Sequence, residues 1–231
     1  MKKKIRISSE LIYLAGVFIL SFATAILAAA DLGLSMVVVP AYVVSLKVPF
    51  LTFGQAEYVV QGTLFIVFCI IMRKAKPLYL VSFLSGFIYG IVLDFWRMVI
   101  PYFNPELYPP EMFDTHVKII YFVIGFFINS FGAMLYFKSY FYPQVYEFFV
   151  KGISEKFRIE LSKVKRGFDM TFLTIGAILS FVLLGRIAGI GIGTVIMALL
   201  NGLLIGFYSK VFDKYIETYP VWKTFSKKFE L

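Results

Sequence analysis

Leu11–Ala30 is a run of twenty residues without a charge, and no other feature restricts the chain as much. In hydrocarbon each backbone N–H and C=O must find its partner within the segment, so such a run crosses a bilayer as an α-helix. At 1.5 Å per residue it reaches about 30 Å, the thickness of the apolar core. Asp31-Leu32-Gly33 follows in place of a small-residue cleavage site, so the run reads as a span and not as a removable signal. The whole chain agrees. Its 231 residues are 60% hydrophobic and 16% charged, against about 25% charged in soluble domains.

Part of that first span is written twice. Gly16–Leu27 (GVFILSFATAIL) recurs as Gly125–Tyr136 (GFFINSFGAMLY), pairing Gly16, Phe18, Ile19, Ser21 and Phe22 with identical residues 109 positions on. Near an offset of 108, Gly54–Phe65 runs against Ser162–Leu173 and places Gln61 on Asp169 and Glu57 on Lys165. Near 112, Gly86–Phe95 runs against Ala198–Phe207 and places Gly90 on Gly202. Three blocks in the same order indicate a duplicated half-protein.

Each half then reads alike. After a basic tail (1–10), repeat 1 covers 11–100, with spans at 11–30, 55–72 and 78–100. Its segment 34–51 is broken by Pro40 and Pro49 and reads as interfacial or re-entrant. The proline-rich loop 101–116 carries Glu106, Glu111 and Asp114. Repeat 2 covers 117–209, with spans at 117–137, 168–185 and 189–209. Its segment 142–157 mixes aromatic residues with Glu147, Lys151, Glu155 and Lys156, the pattern of an amphipathic interfacial helix. Residues 210–231 form a second tail. The expected fold is an all-α polytopic membrane protein with six transmembrane helices. Nineteen of the 23 Lys and Arg then fall on one side, leaving Lys47, Arg97, Lys118 and Arg186 on the other. The positive-inside rule puts both termini in the cytoplasm, and topology accounts for the net charge of +9 without nucleic acid. Three spans per repeat is odd, so the repeats are inverted, an architecture of many secondary transporters.

Ionisable residues inside spans are costly and need a partner, water or a role. Asp94 and Arg97, three apart near the end of their span, can pair on one face, or Asp94 can serve as a proton- or cation-coupling carboxylate. Asp169 opens its span as a helix N-terminal charge, or forms a quasi-symmetric central site with Gln61. Asn129 and Asn201 are suited to interhelical hydrogen bonds, with solute contact as the alternative. Pro40, Pro143, Gly191, Gly193 and Thr194 are candidate hinge or gate positions. The glycine-rich run 185–194 carries no dinucleotide or Walker fingerprint. No metal or cofactor signature and no nucleophile–base arrangement appears, so an enzyme is not expected. Cys69, alone of its type, reads as a packing residue.

ADLGLS (Ala30–Ser35), TFGQAEYVVQG (Thr52–Gly62), YGIVLD (Tyr89–Asp94), KRGFD (Lys165–Asp169) and GIGTVIMALLNG (Gly191–Gly202) resemble the YczE/YyaS/YitT family of bacterial membrane proteins, most closely its YczE-like branch without a soluble C-terminal domain. Members often carry Pro after the Ser of the first motif; here that residue is Met36. The resemblance implies a multi-pass protein of the bacterial cytoplasmic (inner) membrane, loosely described as a permease. Three functions stay open. One is a small secondary transporter or facilitator of a small solute, with Gln61, Asp94, Arg97, Asn129, Asp169 and Asn201 along the pathway and proton or cation coupling. Another is the substrate-binding membrane subunit of an ATPase-energised uptake system. The last is a non-transporting accessory protein that binds membrane lipids.

Overall fold

The computed structural model describes residues 4–74, 76–105 and 107–226. Lys2 and Lys3 of the basic tail, Glu106 of the loop, and Lys227 and Lys228 lie outside the described residues. In chain order the elements are β1 (Ile5–Ser8), α1 (Ser9–Ala30), α2 (Val39–Lys47), α3 (Phe53–Met72), α4 (Leu80–Val99), α5 (Thr115–Phe137), α6 (Val145–Phe157), α7 (Leu161–Leu184), α8 (Ile192–Tyr215), β2 (Ile216–Tyr219) and α9 (Lys223–Ser226). Among the described residues six helices, α1, α3, α4, α5, α7 and α8, are long and apolar enough to cross a membrane. The chain is an all-α polytopic membrane protein.

Helix ends follow local chemistry that apolarity does not record. Thr52 accepts from the Gln55 N–H at 3.1 Å while the Gln55 side chain accepts from the Thr52 N–H at 3.1 Å. This capping box starts α3 two residues before the expected 55. α7 starts at Leu161 and not at 168, because Lys163, Lys165 and Arg166 are good helix formers whose charge hides the first two turns from a hydropathy reading. α8 starts at Ile192 and not at 189. Gly185 and Gly189 adopt φ of 67° and 72°, which stops α7 and delays the next helix.

The described residues of the two tails form elements that hydropathy does not show. β1 pairs in parallel with β2, Ile5 opposite Ile216 through Ser8 opposite Tyr219. Two strands alone are marginal in water, and the Glu10 carboxylate fastens them by accepting from the N–H groups of Val221 and Trp222 and from the Tyr140 hydroxyl. The first and last described segments therefore share one face, called the terminal face below.

α1 and α5 form the central pair and run antiparallel. A Cβ on Gly16 would lie 2.9 Å from the Tyr136 nitrogen, one on Gly132 2.8 Å from the Leu20 nitrogen, and one on Gly125 2.8 Å from the Leu27 side chain. The repeat offset equates Gly16 with Gly125 and Leu27 with Tyr136. The Gly16–Tyr136 and Leu27–Gly125 contacts are therefore images of each other, as across a two-fold axis. Other packing follows the same operator: α1 on α4 as α5 on α8, and α2 on α3 and α7 as α6 on α7 and α3. The repeats are inverted. A Gly132→Val substitution is expected to cost about 1–3 kcal/mol by overpacking this seam, read as a lower thermal midpoint in detergent.

α2 and α6 are half-length, about 13 Å and 20 Å long, too short to span. α6 does not lie on the surface as its amphipathic pattern suggested. Val145, Tyr146, Phe148, Val150 and Gly152 are buried; Gly152 meets Phe68 of α3, and Lys156 donates to the Ile71 carbonyl near the end of that span. Aromatic side chains that read as an interfacial belt instead pack inward, Tyr146 on Phe172 and Phe149 on Phe168.

Candidate functional site

The chain leaves α5 at the terminal face, where the Tyr140 N–H donates to Ser9 Oγ at 3.1 Å. It then turns back into the protein. The Tyr13 hydroxyl donates to Ser85 Oγ at 2.5 Å, and Ser85 donates to the Tyr142 carbonyl at 3.1 Å, holding the descending stretch against α1 and α4. Gln144, 5% exposed, ends the descent and precedes α6. Gln61, in the interior of α3, receives it: its Nε2 donates to Gln144 Oε1 at 2.9 Å and to Glu57 Oε2 at 3.1 Å, and its Oε1 accepts from the Val145 N–H at 3.4 Å. The Tyr146 hydroxyl also donates to Glu57 Oε2, at 3.0 Å. The start of α6 is thereby fixed beside the middle of a spanning helix.

Where α6 starts, the two repeats enclose a cavity of about 80 Å³. Its walls come in equivalent pairs. Leu20 and Thr24 of α1 face Asn129 and Ala133 of α5, their counterparts at the offset of 109. Tyr89 of α4 faces Asn201 of α8, its counterpart at 112. Each pair of helices is tied locally: the Tyr89 hydroxyl donates to Thr24 Oγ1 at 2.6 Å, while Asn129 Nδ2 and Ser130 Oγ donate to Asn201 Oδ1 at 3.4 and 2.6 Å. Ser35, Val37 and Val38, leading into α2, line one side, and Gln144, Tyr146 and Glu147 of α6 line the other. The first turn of α6 therefore brings its positive helix end to the cavity. The cavity is large enough for a few waters, whose share of liquid volume is about 30 Å³ each, and smaller than the usual drug-sized pocket of roughly 300 Å³ upward.

One end of the cavity adjoins open space and the other is sealed. Tyr136, Phe137 and Glu147 also line a vestibule of about 900 Å³ among the 139–143 stretch, α6 and the start of α7, on the terminal face. Lys151, Glu155, Glu160 and Lys165 are in its wall. At the opposite face the loop after α1 meets the loop before α8. Leu34 N–H donates to the Gly189 carbonyl at 2.9 Å and Gly193 N–H to the Leu32 carbonyl at 2.7 Å. Gly33, at φ 122°, packs so closely that a Cβ would lie 2.5 Å from Thr194 Oγ1. The α3–α4 hairpin is also closed there. Gly54 and Gly90 touch backbone to backbone, and Asp94 accepts from Thr52 Oγ1 at 2.5 Å and the Gly54 N–H at 2.8 Å. Its counterpart, α7–α8, does not pack along its length, and Gly202 and Gly206 have nothing within 4 Å of an added Cβ.

The structure brings some of the sequence candidates together and scatters the rest. Asn129 and Asn201 line the cavity, and Gln61 lies directly behind it. Gly191, Gly193 and Thr194 form the seal at the opposite face; Pro143 lines the vestibule, and Pro40 packs on Gly176. Asp94, Arg97 and Asp169 are not among the residues lining the cavity. Asp94 caps α3. Arg97 donates to the Phe103 carbonyl and Asn104 Oδ1 and sits over the Phe53 ring. Asp169 accepts from Lys165 at 2.7 Å. The equivalence of Glu57–Gln61 with Lys165–Asp169 is still visible, since each is a bonded i,i+4 pair at the same register of α3 and α7. Sequence reasoning missed Glu147, Tyr146, Gln144 and Tyr89. The signal was the charge at the third position of α6 within a buried aromatic run, which a surface-helix reading disguises.

Among the described residues no three His, Cys, Asp or Glu side chains converge to hold a metal. What the arrangement offers is a small chamber of mixed polar and apolar lining with one acidic side chain at its mouth. A family model described as a family of unknown function (DUF6198) matches residues 7–210. No curated protein and no solved structure matches the chain.

Proposed function

The chain belongs to the DUF6198 family of unknown function, and we propose that it is a small secondary transporter or facilitator of a small solute, working by alternating access between inverted repeats. One observation carries this reading: equivalent residues of both repeats enclose a chamber that adjoins a vestibule on one face and is sealed on the other. Sites of this kind, at repeat interfaces beside broken helices, are where secondary transporters bind. Positive-inside asymmetry supports a cytoplasmic terminal face, and the resemblance to YczE-like proteins supports a bacterial cytoplasmic membrane. The conformation is then inward-open.

The repeats supply the second state. Repeat 1 has its α3–α4 hairpin closed at the Gly54–Gly90 contact, and repeat 2 has α7–α8 apart. If the halves exchange these arrangements, α8 closes through Gly202 while α4 parts from α3, and the chamber changes sides. Chamber size favours a solute of a few heavy atoms, and Glu147 favours a neutral or cationic one. Neither an ATPase-dependent binding subunit nor a lipid scaffold calls for a two-fold chamber.

Solute flux in reconstituted vesicles tests the proposal. An Ala133→Trp variant fills the chamber from α5 without touching the seal. Wild-type protein is expected to carry a small solute that this variant does not. Equal flux in the two, or retention of a single lipid class with no flux in either, would count against it.

A further inference from the structure

We propose that Glu57 is a proton-binding site, loaded from the chamber, and that this proton is the coupling ion of the transport reading on which the inference rests. Glu57 is fully buried in α3. Its two oxygens are treated unequally. Oε2 accepts two hydrogen bonds, from Gln61 and Tyr146, while Oε1 is buried with no partner. That is the pattern of a neutral carboxylic acid, with a carbonyl oxygen that accepts and a hydroxyl oxygen that carries the proton; a carboxylate would leave half its charge on a bare, desolvated oxygen.

No cation faces it. From α6 the groups are Tyr146 and Glu147, the latter of like sign. From α4 Tyr89 approaches, its hydroxyl engaged by Thr24. From α2 the titratable side chain on this side is Tyr42, edge-on to Phe53 one turn away. Lys165, the closest base on α7, is held by Asp169. A second carboxylate, near which the only base named is the Asp169-bound Lys165, strengthens the case for a proton, because two neighbouring charges of one sign are mutually unfavourable.

The acid is also reachable. Tyr146 and Gln144 line the chamber, and each is one hydrogen bond from the Glu57–Gln61 pair. Hydronium in the chamber gives a proton to the Tyr146 hydroxyl and leaves as water, while that hydroxyl passes its own proton to the bonded Glu57 Oε2, and rotation of the carboxyl carries the proton to the partnerless side; the reverse steps return the proton to water when the chamber faces a less acidic side. Glu147 at the mouth concentrates protons at the point of entry.

Infrared difference spectroscopy on the full-length protein in lipid tests this without knowing the solute. Wild type is expected to show the C=O stretch of a protonated carboxyl that is lost on going from acidic to alkaline buffer. Glu57→Gln should lack that band, and Glu147→Gln should keep it. Tyr146→Phe removes one donor from the carbonyl oxygen and should move the band to higher frequency, which identifies the group if Glu57→Gln does not fold. A wild-type spectrum identical to that of Glu57→Gln, or a Glu57 band indifferent to pH, overturns the proposal. A band that titrates in a protein showing no solute flux would leave the proton site standing and remove the transport reading.

Discussion

Gly90→Ala is expected to destabilise the protein by about 3 kcal/mol, while Gly202→Ala, the same change at the equivalent position of the other repeat, is expected to be neutral or stabilising. The two glycines correspond at an offset of 112, and only their surroundings differ. A Cβ on Gly90 would come within 2.5 Å of the Gly54 carbonyl oxygen, and backbone on both sides leaves no rotamer to relieve it. Overpacking of that kind costs roughly 1–3 kcal/mol, and the Asp94 cap on α3 would be displaced with it, adding about 1 kcal/mol. At Gly202 an added methyl meets nothing, so the change leaves only the helix preference for alanine, about 1 kcal/mol in its favour. Thermal midpoints of the two purified variants measure the contrast. Similar losses in both would mean that α7 and α8 pack as closely as α3 and α4.

Gly33→Val is expected to break the seal at the face opposite the termini. At φ 122° the backbone is in a region that a β-branched residue cannot enter without strain, about 1–3 kcal/mol. Space is short as well, since the added Cβ would press on Thr194 Oγ1 and on the Thr194 nitrogen at 2.6 Å. The hydrogen bonds from Leu34 to Gly189 and from Gly193 to Leu32 lie on either side of that contact, so the loop after α1 separates from the start of α8. The expected result is a chamber that admits reagent from the opposite face, at least tenfold faster than in wild type if the strain released is about 1.4 kcal/mol or more. Thr194→Ser, which keeps the hydroxyl, should leave the seal intact. Unchanged protection in Gly33→Val would place the barrier elsewhere.

Much of this fold can be read from hydropathy, and the site can be read far less. Spans are legible because hydrocarbon demands about 20 apolar residues in a row, and the inversion is legible because three spans per repeat is an odd number. The ends of α7 and α8 are not, since helices continue past the apolar core on charged residues such as Lys165 and Lys214. Thr52 and Gln55 carried a capping signature that apolarity ignores. The misleading element was α6. Its amphipathic pattern is the same whether the apolar side faces lipid headgroups or the interior of a protein, and only packing, such as that of Gly152 on Phe68 and Tyr146 on Phe172, tells the two apart. Glu147 therefore read as part of an amphipathic interfacial helix, and Glu57 only as the repeat counterpart of Lys165. Asp94 stood out because it is charged, yet its partners Thr52 and Gly54 lie some forty residues away, a separation at which one sequence carries no contact information. Likewise the Gly33–Thr194 seal joins two short motifs from opposite ends of the chain.

The most direct measurement is the sidedness of the chamber. A Cys69→Ser protein with a single cysteine at Ala133 is prepared in vesicles of either orientation and treated with a small impermeant methanethiosulfonate. Ser154→Cys and Asn104→Cys mark the terminal and opposite faces. The account predicts that Cys at 133 reacts from the face that labels Ser154→Cys and is protected from the face that labels Asn104→Cys, with protection lost in Gly33→Val. Reaction from the Asn104 face alone, or equal reaction from both faces in the parent protein, would contradict a chamber that opens to one side at a time.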